Sequence, residues 1–299
     1  MRITTANAHR STIDTLQQRQ QQLQQSQERL TSGKRVARAS DDPAAAARAE
    51  RALATQARAA ADQRGLDASR NAMLQAESAL GDAGEAMQQV RELLVAAGNA
   101  GYSDAERANL GDRIRGLRDQ LLAIANRGDG AGGRLFGGQG SAQPPFVDAV
   151  GGVIYNGVGG QTSVQASEPM PMTIDGQATW IGSLSLFSVL DAAAGDLQTP
   201  NRSGPQVAQT VANGLRDVDQ VMGRLQWQRA RAGESLNRAD AVEQRLGDVT
   251  LHAQTQRSLA EDVDMVQALS DFKAQQTGYE AALSTYSMVQ RMSLFDYLK

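Results

Sequence analysis

Two heptad stripes, one toward each end of the chain, constrain this sequence more than any other feature. Met265, Leu269, Phe272, Gln276, Tyr279, Leu283, Tyr286 and Gln290 follow one another at alternating steps of four and three. Ile13, Leu16, Gln20, Leu23, Gln27 and Leu30 step in the same way near the N-terminus. A stripe this narrow cannot face a globular core and suits the seam of a coiled coil. Both stripes are interrupted by glutamine, which in a seam lowers the stability of a helix pair and restricts its register. The spacing predicts that the two ends of the chain pair weakly with each other and that neighbouring copies complete them. Such a chain is an assembly part.

Composition agrees. Aromatic residues are 4% of the 299, too few for a large aromatic core, whereas long helices need only Leu, Val, Met and Ala along a stripe. The net charge of −3 gives no electrostatic case for nucleic acid or an anionic membrane. The absence of cysteine removes disulfides, thiol nucleophiles and Cys-ligated metals. The first residues lack the apolar segment of a cleaved secretory signal, and no run is expected to reach the ~18 apolar residues of a membrane span.

Along the chain, Gly33 suits a helix C-terminus, and Asp41 or Asp42 ahead of Pro43 reads as an N-cap with proline at the first helical position. An Ala-rich helix is expected from Ala44 to about Ala100, with Met73, Leu80, Met87, Val90 and Leu94 on one face. Ser103 and Glu106 form a capping box for the next helix, which carries Leu110, Ile114, Leu117, Leu121 and Ile124. Twelve glycines between Gly128 and Gly160 then end the helical periodicity. Val153–Tyr155, Thr162–Ala166 and Met172–Ile174 alternate as strands do, and Gly151-Gly152 and Asp175-Gly176 are hairpin signals. A short helix over Leu184–Leu197 and a long one from Gln206 to about Val249 follow.

The expected fold is mainly α: a long antiparallel bundle or coiled coil formed by both chain ends, with a small β-rich insertion. The expected regions are 1–42 with 256–299 (terminal coiled coil), 43–135 with 199–255 (long-helix bundle) and 136–198 (insertion).

No motif in the sequence carries an active site. Gly128, Gly130 and Gly133 match a dinucleotide pattern, but a helix precedes them and a strand is expected after, the reverse of what pyrophosphate binding needs. Arg127-Gly128-Asp129 spells an adhesion tripeptide and reads equally as the solvated exit of a helix. A nucleotide-binding enzyme and an adhesin therefore stay as remote alternatives. His9 and His252 have no metal-ligand spacing around them. Arg29, Lys34, Arg35 and Arg38 form a basic cluster, read either as helix-end charge or as pairing with Glu261, Asp262 and Asp264 of a neighbouring subunit.

Arg29-Leu30-Thr31-Ser32-Gly33-Lys34-Arg35 with Asp41-Asp42-Pro43 resembles the N-terminal signature of bacterial flagellins and their relatives. Phe136-Gly137-Gly138 and Gly233 with Asn237-Arg238 resemble further stretches of that family. The start, Met1–Thr5, and the end, Ser293–Lys299, look more like its hook–filament junction branch than like a filament flagellin. A short filament flagellin is the alternative within the family. The resemblance implies a structural subunit with no cofactor and no metal, exported unfolded through the flagellar type III apparatus. It further implies a ring of identical copies between a preceding hook-associated protein (FlgK) and flagellin, and an export chaperone (FlgN) on the C-terminal region. Nucleic acid and membrane are not among the implied partners.

Overall fold

The computed structural model describes residues 2–130, 132–138, 142–158, 163–164 and 168–297, the side chains of 2–9, 164 and 289–297 excepted. The helices among these residues are α1 (Arg2–Ser32), α2 (Pro43–Ala97), α3 (Asp104–Ala125), α4 (Leu186–Gln198), α5 (Gly204–Glu261) and α6 (Met265–Tyr297). The chain divides into two compact units, residues 1–59 with 248–299 and residues 60–247.

In the second unit, ion pairs link rising numbers on α2 to falling numbers on α5: Arg91–Asp219, Glu77–Arg229 and Arg70–Asp240. The two helices are therefore antiparallel. Met73, Leu80, Met87, Val90 and Leu94 share one core with Val218, Val221 and Leu225 of α5 and Ile114 and Leu121 of α3. Helix α3 starts with the capping box the sequence predicts, Ser103 and Glu106 satisfying each other's backbone N–H groups. It packs on α4.

Strand β1 (Phe146–Ala149) pairs antiparallel with β2 (Gly152–Tyr155), and β3 (Ser163–Val164) with β4 (Met170–Pro171). The strand expected over Met172–Ile174 does not form. There the Ile174 N–H donates to the Leu135 carbonyl and the Ile174 side chain enters the core. Nor is Asp175-Gly176 a hairpin. The Asp175 carboxylate accepts the Ala178 N–H, at 3.0 Å, and opens a wide helical turn over Gln177–Ile181, closed by Gly182 N–H to the Gln177 carbonyl. Thr162 and Ala166 lie outside the described residues. An 18-residue window within Gln177–Gln198 reaches a mean hydropathy of 1.2, more apolar than expected for this chain. It is two helical pieces broken at Gly182–Ser185, with Leu186, Phe187, Leu190 and Ala194 buried in the core.

Five aromatic side chains converge where the hairpin, the wide turn and α4 meet. Trp180 stands edge-on to Phe136 at 5.3 Å between centroids and stacks with Phe187 at 6.3 Å, and Phe146 lies 5.1 Å from Tyr155. The buried Arg118 of α3 binds the hairpin to this block, gripping the carboxylate of Asp148 with both terminal nitrogens and reaching Asp191 of α4 at 3.1 Å. Its hydrogen bonds hold the Asp148 carboxyl below the usual carboxylate range.

Candidate assembly surface of the terminal helices

In the first unit α1 packs against α6, so the two ends of the chain pair as the stripes predict. Their union is locked at one end by a joint. Helix α1 stops at Gly33, whose φ of +69° is a left-handed conformation that glycine adopts freely and whose N–H returns to the Arg29 carbonyl at 2.9 Å. The chain leaving it lies beside the break between α5 and α6. Val263 N–H donates to the Gly33 carbonyl at 3.0 Å, and Arg35 N–H to the Glu261 carbonyl at 2.7 Å. The Lys34 ammonium reaches Glu261 at 3.2 Å, and Arg257 approaches the same carboxylate at 2.5 Å. The Arg35 guanidinium donates to the Ala260 carbonyl.

These contacts explain most of the signature. Ser32 Oγ accepts the Lys34 N–H, and Asp41 accepts those of Ala37 and Arg38. Asp42 caps α2 by accepting the Ala45 N–H at 3.0 Å, with Pro43 next in the first helical position. That bond, helped by the Arg35 guanidinium, holds the Asp42 carboxyl below its ordinary value. Leu30 is half-buried. Within the basic cluster, Lys34 meets Glu261 of its own chain, because the two helix breaks fall side by side. Asp264 was missed as a cap. Its carboxylate accepts the Val266 and Gln267 N–H groups, and an aspartate just ahead of the stripe was the available signal.

The pairing face occupies one flank of each predicted stripe. On α1 the residues turned inward are Leu16, Leu23, Ser26 and Leu30. On α6 they are Ala268, Phe272, Gln275, Tyr279, Ala282 and Tyr286, again stepping by four and three. Arg19 donates to the Gly278 carbonyl at 3.1 Å and fixes the antiparallel register. Ile13, Gln20 and Gln27 are exposed, as are Met265, Leu269, Gln276 and Leu283, at 51%, 53% and 42% for the three apolar residues of α6. Successive residues turn by about 100° around a helix, which puts this open set directly beside the packed one. The glutamine inside the pair is thus Gln275, its Oε1 buried without a partner among the described residues, and not Gln276. The side chain of Gln290 lies outside the described residues, as do those of Met1–Thr5 and Ser293–Lys299.

The remaining signature positions lie in the other unit. Phe136 belongs to the aromatic block. Gly137 accepts the Val158 N–H, and Gly138, at φ +75°, leaves its Cα so close to the Val158 carbonyl that no side chain fits. Arg238 pairs with Glu168 at 2.9 Å, and Asn237 is exposed. The glycine loop folds on itself, Asp129 accepting the Gly133 N–H at 2.8 Å, while Arg127 pairs with Asp82 at 2.6 Å. His252 is exposed, and the side chain of His9 is outside the described residues.

Comparison with known proteins bears on this arrangement directly. The bacterial flagellin N-terminal helical region matches residues 3–141 and the bacterial flagellin C-terminal helical region residues 215–298. Flagellar hook-associated protein 3 of Escherichia coli (strain K12) is 31% identical, with all of both chains aligned. The chain belongs to the hook-associated protein 3 (FlgL) family of flagellin relatives. Flagellin of Bacillus subtilis (strain 168) is 28% identical over 91% of this chain and 90% of its own. The crystal structure of the flagellar junction protein FlgL from Legionella pneumophila shares the fold. It superposes with a TM-score of 0.61 at 16% identity, covering 72% of this chain and all of that one.

Proposed function

We propose that this FlgL-family chain is a structural subunit of the bacterial flagellum that joins the hook side to the flagellin filament and performs no chemical step. The observation that carries this reading is the end-to-end likeness to flagellar hook-associated protein 3. In the same reading, neighbouring copies cover the open flank of the terminal stripes, which leaves Met265, Leu269 and Leu283 half-exposed in the single chain. Residues 1–42 with 256–299 act as the assembly arm, carried by the bundle of 43–135 with 199–255, and 136–198 forms the insertion. The copies form a ring between the hook-associated protein FlgK and flagellin. They reach it outside the cell by leaving unfolded through the flagellar type III export apparatus, after FlgN has held the C-terminal region. A chain without cysteine brings no disulfide to that passage.

Gold-labelled antibody against the chain, applied to isolated flagella, tests the assignment. A single band at the hook–filament boundary is the expected result, and label along the whole filament would replace it with the short-flagellin reading that the Bacillus likeness favours. Polymerisation of the purified chain into long filaments would have the same meaning.

A further inference from the structure

The unit formed by residues 60–247 holds a cleft of about 370 Å³ lined by Ser163, Pro169, Pro171 and Ile174 on one side and by residues of α2 and α5 on the other. Its roof is pinned in three ways. Met170 is buried against Leu66, Ala239 and Val242, Ser69 Oγ donates to the Pro171 carbonyl at 2.5 Å, and Glu168 is held by both Arg238 and Arg245. Nothing in the assembly reading uses this space.

Its lining has the makeup of a ligand site. Gln228 is only 3% exposed, yet its amide makes no hydrogen bond to any described residue and opens onto the cleft. Its amide is open only to the cleft, so a bound group with its own donor and acceptor can take the place of the water there. Arg231 also lines the cleft and has no carboxylate partner among the described residues. It is stacked on Trp227, 4.9 Å from the ring centroid, which holds its planar fork in place. Of the charged residues that line the cleft, Arg231 and Arg238 against Glu234 leave one positive charge in excess, and the nearby pairing of Glu168 with Arg238 and Arg245 leaves that balance unchanged. The rest of the lining divides into apolar groups (Met73, Ile174, Ala232) and hydroxyls (Ser163, Ser235).

We propose that this cleft binds a sugar-sized organic carboxylate, of the hexuronate class. The carboxylate lies on the Arg231 fork, the ring hydroxyls bond to the Gln228 amide and the serines, and the C–H face of the ring rests on the apolar wall. The size falls in the range of small-molecule pockets, and the single excess charge matches one carboxylate better than a phosphate dianion.

The test is calorimetric titration of the full chain with glucuronate, glucose and glutarate. Saturable glucuronate binding at millimolar concentration is expected. Glucose, without the carboxylate, and glutarate, without the hydroxyls, should bind at least about tenfold more weakly. Gln228→Met, which keeps the side-chain volume, and Arg231→Gln should each weaken glucuronate about tenfold at unchanged melting temperature. Absence of saturable glucuronate binding would overturn the proposal, as would equal binding of glucose. Binding that survives both substitutions would place the ligand elsewhere. Should Gln228→Met disturb folding, the surface substitution Arg231→Gln decides alone.

Discussion

If neighbouring copies cover the open flank of α6, replacing its leucines must weaken assembly beyond what it costs the subunit. The perturbation is Leu269→Ser with Leu283→Ser. Complete burial of a leucine contributes about 1.5–3 kcal/mol, and these two are still 53% and 42% exposed in the single chain. The surface left to bury is therefore worth about 1 kcal/mol for each leucine, or about 2 kcal/mol per subunit. That corresponds to a loss of roughly thirtyfold in the equilibrium constant for adding one copy.

The assay compares two variants in cells lacking the native chain. In the first, the purified subunit should keep its helicity by circular dichroism with only a modest fall in melting temperature, while gold label at the boundary and the number of attached filaments fall sharply. The second, Phe272→Ala with Tyr279→Ala, cuts residues that α1 already covers. It should lower the helicity of the free subunit as well. Normal attachment by the double serine variant would refute the reasoning: the open flank would then be ordinary surface.

Arg118→Met should destabilise the unit of residues 60–247 by about 2 kcal/mol, between the worth of an exposed ion pair and the cost of breaking a buried one, because the guanidinium is 9% exposed while its aspartates stay half in water. Urea unfolding measures the loss, and faster hydrogen exchange should be concentrated at β1 and β2. The same contact sets a pH dependence. The folded Asp148 carboxyl lies below its ordinary 3.8, so its stabilisation is complete above that value and is lost as pH falls through the depressed one. Exchange protection of the hairpin should hold from neutral pH to about 4 and decline below, and Asp148→Asn should remove that component of the acid response. Gly33→Ala should cost about 1–2 kcal/mol for its left-handed backbone, and Gly33→Asn less, read from thermal unfolding of the whole chain.

Features encoded within one turn of helix were legible in the sequence. The Ser103–Glu106 capping box, the Asp42-Pro43 start and the Gly33 stop each depend on neighbours three or four residues away. So do both stripes, and the stripes sufficed to pair the chain's ends. Contacts between distant segments were not legible. Lys34 and Glu261 are 227 residues apart, and their charges suggested a pairing without showing that both partners meet within one chain. The five aromatics of the insertion are spread from Phe136 to Phe187, and no local period connects them. The cleft over Gln228 could not be read either, since a glutamine in a helix has no local mark that says it is buried.

Each stripe divides into two flanks, one packed against the partner helix and one open. Its period located the right side of each helix, but an apolar stripe looks the same on both flanks, and only one flank meets the partner. The choice between them has a physical reason in the side chains. The chosen flank of α6 offers Ala268, Gln275 and Ala282 between its aromatic residues, and that of α1 offers Ser26 between its leucines. Small residues allow helices to approach closely, and small or polar ones contribute little from burial, so the pair is well fitted but weakly held. The larger aliphatic residues Met265, Leu269 and Leu283 remain on the other flank. A monomer selected for its own stability would bury them first. In the proposed assembly, contacts that a single copy cannot make would supply a large share of the arm's apolar burial. The helix pair would then become firm where other copies surround it.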